Sequence, residues 1–134
     1  MSVETSRVVE VAEFREALRR FMRQSERVAR QSGLTPQRYL LLLMIKGARD
    51  GSEQSTVTEL ADRLQLAQST VTELVSRAEE AGLVEREQSQ SDARVAHLRL
   101  TAEGEHRLEQ SFTALGTERA QLREALASLV DAAD

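Results

Sequence analysis

The sequence predicts a mainly α-helical fold with one small β-hairpin, and three observations carry that expectation. Helix-forming residues dominate the 134-residue chain, with a single proline and 3% aromatic residues to interrupt them. Apolar residues recur at helical spacing in five separate stretches. After Gly82 the pattern changes to two strand-like runs, LVEREQ and VAHLRL, around the polar tip Ser89, Gln90, Ser91, Asp92 and Ala93.

The first helix is expected from about Ser6 to Gly33. Val11, Phe14, Leu18, Phe21, Ser25 and Val28 form a stripe along it, and Arg15, Arg19, Arg20, Arg23, Arg27 and Arg30 decorate the rest. Thr35 as N-cap and Pro36 as the first helical residue open a second helix. Its segment Tyr39 to Ile45 is apolar all round and is expected at the centre of the molecule. Gly47, Asp50 and Gly51 end it, and a polar loop, SEQS, leads to Thr56.

Thr56 and Glu59 have the spacing of a capping box. Leu60, Ala61 and Leu64 give the third helix its apolar face, and Val71, Leu74, Val75 and Ala78 give the fourth. Two helices joined by three or four residues must cross, and the small Ala61 suits the point of closest approach. This is a helix-turn-helix. Gly82 has the place of a C′ residue. In the hairpin that follows, Ala96, Leu98 and Leu100 alternate with Val95, His97 and Arg99, so one face can lie on the helices. A helix-turn-helix followed by such a hairpin is a winged helix. Thr101 then caps a final long helix. Leu108, Leu115, Leu122 and Leu129 recur along it every seventh residue with Phe112 and Leu126 at companion positions. Arg119 interrupts the seam, where burial would be costly unless it is paired, and Gly116 is a place for a kink. The seam can serve a second subunit or fold back on its own domain.

Composition narrows the function. Without cysteine there are no disulfides, thiol sensors or cysteine-based zinc sites. His97 and His106 lack ligand spacing and read as solvent-facing. No paired nucleophile and base, metal set or nucleotide motif is present, so no enzymatic activity and no cofactor are expected. No apolar run is long enough to span a membrane, and the N-terminus lacks the order of a signal peptide, which makes the cytoplasm the expected compartment. The net charge of −4 argues mildly against nucleic acid, but its distribution is uneven. Residues 1–50 hold ten Lys/Arg against six Asp/Glu, and residues 51–134 hold eight against sixteen. Any DNA contact must therefore rest on a few placed arginines and helix N-termini.

The segments TELADRL and STVTELVSRAEEAGLVER, the triplet Asp92-Ala93-Arg94 and LRLTAEG resemble the MarR family of bacterial transcriptional regulators. The resemblance implies a single domain over 1–134. Residues 35–101 would form the DNA-binding lobe, and helices at 6–33 and 102–130 would intertwine with those of a second subunit. Val11, Phe14, Leu18, Leu115, Leu122, Leu126 and Leu129 are the expected interface residues. The partners implied are double-stranded DNA, a second copy of the chain, and a small aromatic or anionic effector. Phe14, Phe21, Tyr39 and Phe112, with Arg20 or Arg38, are candidates for an effector pocket. Arg94 takes the minor-groove role and Asp92 the role of orienting it.

On the fourth helix, the residues outside the apolar stripe near its start are Gln68, Ser69, Thr70 and Thr72. These side chains can read base edges. Ser76 and Arg77 better suit phosphates, whereas Glu73 repels phosphate unless it accepts from cytosine. Two positions depart from the family. Gln65 stands where glycine is usual, which costs roughly 1 kcal/mol if φ is positive. Ala67 stands at a cap, where a similar amount of about 1 kcal/mol is forfeited. The expected function is a ligand-responsive homodimeric repressor on a pseudo-palindromic operator. The alternative is a winged-helix module that dimerises or docks a protein without specific DNA binding.

Overall fold

The structure, a computed structural model, describes residues 3–92 and 94–131. Ala93, part of the expected wing tip, lies outside the described residues, as do the two ends of the chain. Six helices and three short strands follow one another as α1 (Thr5–Gln31), α2 (Pro36–Lys46), β1 (Gln54–Ser55), α3 (Val57–Leu64), α4 (Gln68–Glu80), β2 (Val84–Gln88), β3 (Ala96–Leu100), α5 (Ala102–Ala114) and α6 (Gly116–Asp131).

The predicted caps form. The Thr35 hydroxyl accepts from the Arg38 N–H at 3.1 Å. Thr56 and Glu59 close a reciprocal capping box at 3.2 and 3.0 Å. Thr101 caps α5 through the Gly104 N–H at 3.1 Å. Between them lies a core of Leu41, Leu42, Ile45, Leu60, Val71, Val75 and Leu98, all without solvent exposure. The face of β3 that carries Leu98 and Leu100 turns inward as its alternation predicts. Helix α2 supplies the centre, although Leu40 is 42% exposed and so departs from the all-round burial expected of the segment.

Two further expectations are corrected. The segment read as a polar loop contains β1, which pairs antiparallel with β3 through Gln54 opposite Arg99 and Ser55 opposite Leu98. The sheet therefore has three strands in the order β1-β3-β2. Two residues carry no alternation to read, and β1 exists only because β3 offers an edge. The final helix is two helices, because Leu115 leaves helical geometry at φ −101° and ψ 9°. The break sends α5 against α2 and α6 along α1. At the break the Phe112 carbonyl accepts from the Leu115 N–H at 3.3 Å and also from the Arg119 guanidinium, which lies 3.9 Å from the Phe112 ring centroid. Arg119 thus finds the partner its position in the seam demanded.

The end of α4 and the start of α5 are clamped together. Gly82 takes φ +75°, as its C′ place requires. The Thr101 hydroxyl donates to the Gly82 carbonyl at 2.6 Å, and its N–H donates to the Leu83 carbonyl at 3.0 Å. Gly104 packs directly on that Leu83 carbonyl, where any Cβ would overlap the oxygen. This close approach is the physical content of the Leu-Thr-x-x-Gly segment.

Candidate nucleic-acid interface

Helix α3 ends on Gln65, which adopts the left-handed conformation at φ 56° and ψ 47°. The Gln65 side chain donates to the Asp62 carbonyl at 2.6 Å, which offsets part of the conformational cost. Ala67, at the start of α4, provides no side-chain cap. The first-turn N–H groups of α4 consequently carry the positive end of its dipole without a side-chain acceptor.

Val71, Val75 and Ala78 bury one side of α4, and Gln68, Ser69, Thr70, Thr72 and Ser76 are exposed. Arg77 is exposed too, but its guanidinium donates to Glu73 at 2.7 Å one turn earlier. That pair neutralises the acid that would otherwise repel a phosphate. Gln37, at the start of α2, lines a recess with Thr70, Glu73 and Arg77. Sequence reading missed it, because nothing in the order of residues places the start of α2 beside α4.

On the wing, Arg94 projects with 91% of its side chain exposed. Its backbone N–H donates to Asp92 Oδ1 at 3.0 Å, its Nε to the same oxygen at 3.2 Å, and a terminal nitrogen to Oδ2 at 3.4 Å. Asp92 therefore holds the arginine along a fixed direction. The hydrogen bonds from the Arg94 side chain and backbone keep the Asp92 carboxyl below the usual carboxylate range. The other wing arginines are engaged elsewhere, Arg86 with Glu79 at 2.9 Å and Arg99 with Glu87 at 3.7 Å.

Sequence reading also missed the ties that join the lobe to its flanking helices. Lys46 on α2 bridges Glu105 of α5 at 2.7 Å and Glu53 at 3.1 Å, and the hydrogen bonds to these two carboxylates raise its pKa. Arg63 on α3 closes the end of α2 by donating to the Met44 and Gly47 carbonyls at 3.2 and 2.9 Å. Arg107 and Ser111 on α5 reach Ser32 after α1, at 3.0 and 2.9 Å. These pairs are separated by up to 79 residues in sequence, so only the fold reveals them.

The residues expected at a subunit interface divide. Val11 and Leu126 are about half exposed, at 49% and 48%. Phe14, Leu18, Leu122 and Leu129 are partly covered, where α6 lies along α1 of the same chain. Leu115 is the correction, since it is fully buried in its own core and has no surface to offer a second copy. The aromatic pocket is also corrected. Tyr39 is buried in the core, where desolvation raises its pKa. Phe21 lines a cleft with Ala17 and Glu118, and Phe112 lines a different groove beside Leu43 and Leu108. Helical spacing gave these rings a common look without a common destination. Among the described residues no cluster could hold a metal ion, and no helix is long and apolar enough to cross a membrane.

A crossed helix pair with a hairpin wing and flanking helices defines a winged-helix protein. Residues 32–95, which hold the lobe up to the start of β3, match the sequence model of the MarR family. The whole fold is similar to that of a cysteine-to-serine mutant of MarR from E. coli complexed with operator DNA. The TM-score there is 0.70 at 21% identity, over 86% of this chain and 84% of that one. AbsC, a MarR family transcriptional regulator from Streptomyces coelicolor, aligns with a TM-score of 0.69 at 22% identity, over 96% and 84% of the two chains. A transcriptional regulator from Thermotoga maritima aligns at 0.62 and 26% identity, over 87% and 88%. No curated protein matches the sequence. Residues 32–95 thus carry the sequence pattern of the MarR family, and the chain has the winged-helix fold of the solved MarR family regulators it resembles.

Proposed function

We propose that the protein is a homodimeric repressor that binds a pseudo-palindromic operator and responds to a small aromatic or anionic effector. The single observation that carries DNA recognition is the pairing of two features in one lobe. Helix α4 presents Gln68, Ser69, Thr70 and Thr72 to solvent from an uncapped N-terminus, and the wing presents an Arg94 pre-aligned by Asp92. Uncapped N–H groups bind phosphate oxygens, the polar row reads base edges in the major groove, and the guanidinium enters a narrow minor groove. The solved relative bound to operator DNA supports this reading by likeness of fold. Two copies related by a two-fold axis would set their α4 helices in successive major grooves, about 34 Å apart.

A mobility-shift titration of the chain against its own upstream region, at moderate and high salt, tests the reading. The expected result is a palindrome-dependent shift that weakens steeply with salt and loses about tenfold or more in affinity in Arg94→Ala. No shift at micromolar protein would overturn it in favour of a winged-helix module that dimerises or docks a protein partner. The twofold excess of acids over bases in residues 51–134 favours that second reading.

A further inference from the structure

On the side of α4 that faces away from the core, one acid stands among neutral polar groups. Each helical residue turns its side chain by about 100°, so Val71 and Val75 point within about 40° of each other and Glu73 points about 160° from both. Ser69, one turn earlier, and Ser76, three residues later, share that outward face and are exposed. Glu73 is the only charged residue in the sequence from Gln68 to Ser76. Its side chain is 64% exposed, and Oε1 accepts from a terminal nitrogen of Arg77 at 2.7 Å.

A carboxylate in this place constrains any duplex that α4 meets. Phosphates repel it, and a groove wall that strips its water makes an unpaired charge costly. The bond from Arg77 answers the repulsion, and among the described residues it leaves Oε2 to other partners. An ionised carboxylate only accepts hydrogen bonds. It is therefore opposed by the acceptors on the major-groove edges of guanine (N7 and O6), adenine (N7) and thymine (O4). Cytosine alone shows a donor, its N4 amino group, with no acceptor beside it. Helix support gives a weaker account of the acid, because an exposed ion pair of this spacing adds little stability and does not call for a place at the centre of the outward face.

We propose that Glu73 is a specificity residue that accepts a hydrogen bond from the N4 amino group of a cytosine in the major groove, while Arg77 screens its charge from the phosphates. The inference rests on the DNA-recognition reading given above and assigns one base to one side chain. The neighbouring polar residues are more tolerant. Gln68 carries both donors and an acceptor, and the hydroxyls of Ser69, Thr70 and Thr72 donate or accept, so each suits several bases. Glu73 imposes the stricter choice, because a wrong base leaves a desolvated charge facing an acceptor.

Selection from a pool of randomised duplexes tests it, followed by mobility-shift titration of the selected duplex and its single-base-pair variants at one salt concentration. Circular dichroism of each protein variant controls for folding. The wild-type chain is expected to hold a cytosine at one position of the selected site and to lose about tenfold in affinity when that C·G pair becomes T·A. In Glu73→Ala the loss at that position should shrink to within about twofold, with the losses at other positions kept. Glu73→Gln should exchange the cytosine preference for adenine, whose N6 and N7 a carboxamide can pair. Arg77→Gln should weaken every duplex by a common factor and keep the preference. A base profile unchanged in Glu73→Ala or Glu73→Gln, including one that accompanies a uniform gain in affinity, would overturn the inference and leave DNA recognition standing. Loss of the preference in Arg77→Gln alone would give the base pair to an arginine reading guanine and overturn it as well. A wild-type chain that enriches no sequence from the pool would overturn the DNA-binding reading itself.

Discussion

The winged-helix lobe satisfies itself, and the helices that flank it do not. Between Thr35 and Thr101 nearly every helix start is capped by its own side chain, and the apolar stripes of α2, α3 and α4 close on one another and on β3. In α1, a helix of 27 residues, Ala29 alone is fully buried, and α6 has no fully buried side chain among the described residues. Val8, Val11, Leu126 and Val130 stand about half or more in water. The difference teaches where stability resides. The lobe draws it from its own core, whereas the terminal pair leaves apolar side chains in water.

The largest test of that contrast removes apolar volume from each region. Leu98→Ala is expected to destabilise by about 2–5 kcal/mol at every protein concentration, because it empties a site without solvent exposure. Leu126→Ala should cost about 1 kcal/mol or less in dilute protein and progressively more as concentration rises. Urea unfolding at two concentrations differing a hundredfold or so reads both. A concentration-independent loss at Leu126 would erase the distinction. Gly104→Ala follows in size. It sets a methyl group against the Leu83 carbonyl and should cost about 2 kcal/mol, seen as a lower Tm. An unchanged Tm would show the clamp to be slack.

The smallest effect sharpens the contrast at the wing, the most exposed part of the lobe. Its hydrogen bonds to Arg94 lower the pKa of Asp92 in the folded state. Their stabilising effect is therefore fully present above the unfolded pKa near 3.8 and is lost as pH falls through the lower folded value. Carboxyl NMR should place the Asp92 midpoint below 3.8 in the native chain and return it toward 3.8 in Arg94→Ala. A midpoint that ignores the substitution would mean that the two side chains are not coupled in solution.

The parts of this fold that sequence could show are those decided within a few residues. The Thr56–Glu59 box, the Thr35-Pro36 start and the C′ glycine at Gly82 each depend on spacing of four or fewer, and all appear as read. The left-handed Gln65 and uncapped Ala67 were equally legible, because a departure at a fixed place in a known turn has one consequence. Strand β1, the clamp of Gly104 on Leu83 and the bridge from Lys46 to Glu105 were hidden, since each is made by segments distant in sequence. Of the candidate DNA-contacting residues, their exposure on α4 follows from helical period alone. The engagement of Arg77 by Glu73 follows from the i, i+4 rule, while the neighbourhood of Gln37 needed the fold. The four aromatics misled because periodicity reports which face a ring shares with its own helix and says nothing of which helix lies opposite.

With Gly104 lacking a side chain against Leu83 and Thr101 fastened to Gly82, the root of the wing and the first turn of α5 are joined as a single piece. The five-residue strands beyond that root act as a lever arm of about 17 Å. A tilt of about 10° in α5 would sweep the far end of the ribbon through roughly 3 Å, which is enough to break a hydrogen bond between a guanidinium and a base. Leverage of this kind would convert a small twist among helices into a displacement of the tip, with no joint needed between the two.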